Sequence, residues 1–92
     1  MPRGRSAQPS GPEAVIFGER LRELRRKRGL TLDALAEAAD MSLTYVSNLE
    51  TGVKVPSLTT LIRLAAALKC KVPELVSVYN DHDLATLIPK RK

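Results

Sequence analysis

The segment MSLTYVSNLETG, residues 41–52, reads as a short helix that opens on Ser42 and closes at Gly52. Ser is a favoured N-cap because its hydroxyl accepts from a backbone N–H of the first turn. Gly tolerates the positive φ of a helix end. Val46 and Leu49 take the inward positions. The remaining positions, Leu43, Thr44, Tyr45, Ser47 and Asn48, stand where a structural surface helix usually carries Lys and Glu. The outward face is left to hydroxyl and amide groups, and the rest of the chain has to account for that.

Toward the N-terminus, Thr31 is a good cap for a preceding helix, LDALAEAA, whose Leu32, Leu35, Ala36 and Ala39 recur at helical spacing. Only Asp40 and Met41 separate it from Ser42. Further back, Phe17, Leu21 and Leu24 fall at i, i+4 and i+7 on one face of an amphipathic helix that begins near Glu13 and ends at Gly29. Its other faces are dense with Arg20, Arg22, Arg25, Arg26, Lys27 and Arg28, which, Arg25 apart, read as a solvated surface. Residues 1–12, MPRGRSAQPSGP, show no hydrophobic period and read as a flexible basic arm.

Toward the C-terminus, TGVKVP is a loop, because Pro56 blocks helix continuation. Ser57 then caps LTTLIRLAAAL, with Leu58, Leu61, Ile62, Leu64, Ala65 and Leu68 expected to face inward. Pro73 suits the first turn of a fifth helix, PELVSVY. The tail, residues 80–92, reads either as a short helix or as an extended pairing segment. No useful Val/Ile/Thr alternation occurs, so the expected fold is all-α: a five-helix domain over residues 13–79.

Ninety-two residues make one small domain that buries only roughly 60–65% of the surface its unfolded chain exposes. A single Cys70 excludes an internal disulfide framework and points to a reducing, cytoplasmic setting, with the thiol expected in the core. No apolar run approaches the roughly 20 residues of a membrane span, and the start lacks the apolar centre of a signal peptide. Fifteen Lys and Arg against ten Asp and Glu leave a net charge of +5, as a polyanion binder would have. His82 and Cys70 are each single and stand at no motif spacing, so no enzyme, metal site or cofactor is expected.

Two short helices joined by about three residues, the second uncharged on its outward face, suggest a helix-turn-helix. GLTLDALAEAADMSLTYVSNLETGVKVPSLTTLIRLAAAL, residues 29–68, resembles the Cro/C1 phage-repressor type, also called the xenobiotic-response-element family. The most specific elements are GLT at 29–31, LA at 35–36, the Ser42–Glu50 helix, Gly52, and PSL-x-TL-x-x-LA at 56–65. The resemblance implies a five-helix bundle that binds double-stranded DNA, usually as a dimer on a partly palindromic operator, and regulates transcription. The chain departs from the family pattern at Leu32, where a phosphate-holding Gln is common, and at Asp40 and Lys69, where Gly is usual.

Position by position, the resemblance places Leu43, Thr44 and Asn48 where phage repressors read bases, with Tyr45 and Ser47 facing either base or phosphate. Asn48 suits an adenine edge, and Leu43 and Thr44 suit a thymine methyl, so important A·T pairs are expected. Ser42, Thr51 and Lys54 are the phosphate candidates; Arg3 and Arg5 of the arm are secondary ones, with solvated charges the preferred reading there. Arg25 and Glu50 match the positions of a structural ion pair. Val72, Leu75, Val76, Val78 and Tyr79, with Leu84, Leu87 and Ile88, give more apolar surface than a short final helix needs, and suggest a homodimer interface. The competing expectation is a protein-interaction module or antitoxin-like partner binder on the same fold. No membrane partner or small-molecule ligand is evident.

Overall fold

The computed structural model describes residues 8–88; Arg3, Arg5 and the ends of the arm and tail lie outside them. Six α-helices follow one another: α1 Pro12–Lys27, α2 Leu32–Ala39, α3 Leu43–Glu50, α4 Leu58–Leu68, α5 Val72–Val76 and α6 Leu84–Leu87. A 3-10 segment, Ser77–Asp81, separates the last two, and no strand occurs among the described residues. The expected fifth helix is thus split, and part of the tail forms a single turn capped by Asp83.

The three central helices start where hydroxyl side chains can cap them. Thr31 accepts from Ala34 N, Ser42 from Tyr45 N and Ser57 from Thr60 N, each at 3.0 Å. Pro12, whose missing N–H costs nothing in a first turn, opens α1 one residue before the expected start.

Asp40 (φ 58°) and Lys69 (φ 57°) end α2 and α4 in the left-handed region. Each end is closed by backbone bonds of the kind a Gly usually provides: Met41 N to Ala36 O at 2.9 Å, and Cys70 N to Ala65 O at 3.0 Å. Arg28 Nη2 further donates to the Lys69 carbonyl at 2.9 Å.

Phe17, Leu21 and Leu24 of α1 meet Leu35, Ala36 and Ala39 of α2, Val46 and Leu49 of α3, and Leu64, Ala65 and Leu68 of α4 in one core. Leu75 of α5 is fully buried in the same cluster. It is therefore a core residue and not part of a subunit surface. Leu87 is also turned inward, at 8% exposure, and Val72, Val76 and Tyr79 pack partly on their own core. Two further expectations are corrected on α4, where Leu58 is 71% and Ile62 55% exposed. At 3.6 residues per turn, both sit roughly 80–160° round the helix from Leu64 and Leu68, off the buried face of α4.

Candidate nucleic-acid interface

The geometry around α3 is set from behind by α1. A Cβ at Gly18 would lie 2.5 Å from the Leu49 carbonyl oxygen, against the last turn of α3. Only a bare backbone lets the helices approach so closely. Gly inside a helix costs about 1 kcal/mol against Ala, so a mid-helix Gly beside an inward-facing residue such as Phe17 is the sequence signal of such a crossing. Ser10 extends the anchoring: its N–H donates to Gly52 O and its hydroxyl to Val53 O, both at 2.7 Å. The segment before α1 is thereby fastened to the loop that follows α3.

A buried charge cluster holds the C-terminal end of α3. The Glu50 side chain is 1% exposed and accepts from Arg25 Nε at 2.6 Å and Arg25 Nη2 at 3.1 Å. Arg25 also donates to the Leu30 carbonyl at 2.8 Å, which joins α1, α3 and the start of α2 through one guanidinium. Its hydrogen bond to Glu50 raises the Arg25 pKa above its already high ordinary value, against the lowering effect of burial. Arg22, read from sequence as solvated, is a third member, with Nε 3.2 Å from Glu50 Oε1.

The N-terminal half of α3 presents Leu43, 45% exposed, and the exposed Thr44 on its outer side. Asn48 is half-buried, and its carbonyl accepts from Val53 N and Lys54 N, folding the following loop back onto the helix. Neither the Asn48 amide nor the Thr44 hydroxyl has a side-chain hydrogen bond among the described residues, so both groups remain open to a ligand.

Tyr45 is arranged differently. It is half-buried and its hydroxyl is paired with Thr60 Oγ1 at 3.0 Å, which in turn meets Ser57 Oγ at 3.0 Å. This chain ties the first turn of α3 to the first turn of α4. Thr60 and Ser57 carry no sequence signal for that role beyond the cap, because the pairing depends on how the two helices are placed.

The Ser42 hydroxyl is engaged as a cap, and Thr51 donates to Ser47 O at 3.1 Å; both residues are exposed. Lys54 is exposed beside them, and Ser47 is half-buried. The outward surface of α3 therefore carries no ionised group, since its one carboxylate is buried and paired. Polar donors and acceptors with apolar neighbours, displayed on one helix, have the chemistry that base edges in a groove require of a partner.

A two-helix unit with α3 displayed in this way is a helix-turn-helix, and the family's sequence model matches residues 21–75. The chain belongs to the helix-turn-helix family, of the Cro/C1 type.

Among its relatives, the transcriptional regulator DdrOP3 of Deinococcus deserti is 46% identical over 72 residues, covering 75% of this chain and 56% of that protein. The restriction-modification controller protein C.AhdI of Aeromonas hydrophila superposes with a TM-score of 0.67 at 40% identity, over 68% of this chain and 96% of that one. SinR, a master regulator for biofilm formation solved in complex with DNA and known from Bacillus subtilis, gives 0.63 at 31% identity, over 65% and 97%. The chain spans about half the length of the first curated relatives it matches, at 56%, 43% and 45%.

Proposed function

We propose that this protein is a sequence-specific, DNA-binding transcriptional regulator that sets α3 into the major groove and works in the cytoplasm as a homodimer. The observation that carries the reading is the outward face of α3: Leu43, Thr44 and Asn48 displayed on a helix fixed by Glu50 behind and by Tyr45–Thr60 at its start. Thr44 and Asn48 read base edges, and Leu43 meets a thymine methyl. Tyr45 acts mainly by orientation, since its hydroxyl is engaged; Ser47 takes a marginal place. Ser42, Thr51 and Lys54 face the phosphates. The similar SinR has been solved in complex with DNA, which supports the DNA-binding reading.

The regulator reading extends to a partly palindromic operator met by two copies. Leu84 and Ile88, 61% and 58% exposed, with the half-buried Val72, Val76 and Tyr79, are the apolar surface offered to a second copy. A second reading is favoured by Val55, Leu58 and Ile62, all at least half exposed along α4 and its approach. That stripe suits a protein partner.

Salt separates the two readings. Fluorescence anisotropy against DNA from upstream of the gene, with a scrambled duplex and two salt concentrations, is the test. Tight binding that prefers the native duplex and weakens steeply with salt is expected, because phosphate contacts release counterions. Equal, weak binding to both duplexes would favour the partner-protein reading.

A further inference from the structure

Arg22 joins the Glu50 carboxylate without being needed to neutralise it. Arg25 already gives Glu50 two hydrogen bonds and spends Nη1 on Leu30 O, so all its nitrogens are engaged, and its side chain is 11% exposed. Arg22 differs on both counts. Its one hydrogen bond among the described residues runs from Nε to Glu50, and its side chain is 46% exposed. The two Nη groups are held in place yet carry no partner there.

A guanidinium fixed through Nε presents its Nη pair as a planar fork that matches two oxygens of a phosphate. One carboxylate and two guanidinium groups also leave the end of α3 with a net positive charge. The helix supplies none itself: Leu43–Glu50 contains neither Lys nor Arg. A helix in the groove needs cations beside it, because phosphate contacts set its register on the duplex.

We propose that Arg22 is a DNA-phosphate clamp, held by Glu50 so that its Nη pair meets the backbone beside the groove that α3 reads. The proposal rests on the DNA-binding reading above. Glu50 orders the long side chain before DNA arrives, so less freedom is lost on binding. Lys at this position would reach either Glu50 or a phosphate, but could not present a fork to both. The rival role is structural: a cation near the C-terminus of α3 is favoured by the helix dipole. That role predicts a change in melting and none in salt response.

The test is anisotropy over a salt series, using the duplex the parent prefers and a scrambled one, with Arg22→Ala and Arg22→Gln. Gln keeps an amide donor for Glu50 while removing the charge, so the fold is retained even where Ala loosens it. Both variants are expected to weaken both duplexes by the same factor, leaving the preference unchanged. The slope of log affinity against log salt should become shallower by about 0.9, the contribution of one phosphate contact. A parental slope in Arg22→Gln, with or without a lower melting point, overturns the clamp while leaving the DNA reading intact. A parent that binds no duplex in a salt-sensitive way overturns the reading itself.

Discussion

Glu50 is where α1 and α3 are joined by charge. Its carboxylate is almost fully buried and accepts from Arg22 and Arg25. Removing it leaves the 11%-exposed Arg25 with an uncompensated charge, a loss that outweighs the modest net worth of an intact pair. Glu50→Ala should therefore lower stability by about 3 kcal/mol. Calorimetric melts would show it, and a variant trace superposing on the parent would contradict the structural role. Arg22 illustrates what sequence reading misses at this scale. A surface Arg on a helix is ordinarily solvated, and nothing in residues 20–28 shows that Arg22 joins Arg25 at a buried carboxylate 28 positions away. Gly18, which the sequence reading also missed, does carry a local signal, since a helix-interior Gly marks close approach.

At the scale of elements, the helix starts were legible because caps are local: Thr31, Ser42 and Ser57 each bond a backbone N–H three residues on. The inward stripes of α1 to α3 were legible through their period. The faces of α4 were not, because apolar residues occupy more than one side of it, and periodicity cannot say which side a neighbour covers. Leu58 and Ile62 therefore emerge at the surface. Within α3, the exposure of Leu43 and Thr44 follows from helical spacing, whereas the Tyr45–Thr60 bond needs the placement of another helix. The helix ends carry a testable cost. Lys69 holds a left-handed conformation at φ 57°, and among the described residues only its backbone is hydrogen-bonded. Lys69→Gly keeps that backbone and should stabilise the fold by about 1 kcal/mol, read as a higher urea midpoint. A lower midpoint would mean the side chain contributes something the geometry does not reveal.

For the whole molecule, the core that folds the chain also fixes which faces are left at the surface. One core from five of the six helices positions α3, and the surface left over is divided between the polar face of α3 and two apolar areas, near Leu84–Ile88 and along Val55–Ile62. The inward turn of Leu75 and Leu87 was not legible from sequence, since a short apolar helix looks alike whether it covers its own core or a neighbour's. A two-fold dimer would set two α3 helices about one DNA turn apart, roughly 34 Å, so each should read an equivalent half-site. Selection from a random duplex pool followed by sequencing, run on the parent and on Asn48→Ala, tests the base-reading claim most directly. The parent should enrich two symmetry-related half-sites about one turn apart, and Asn48→Ala should lose preference at one base pair in each while the others persist. An identical motif from both proteins, or no motif from the parent, would contradict it.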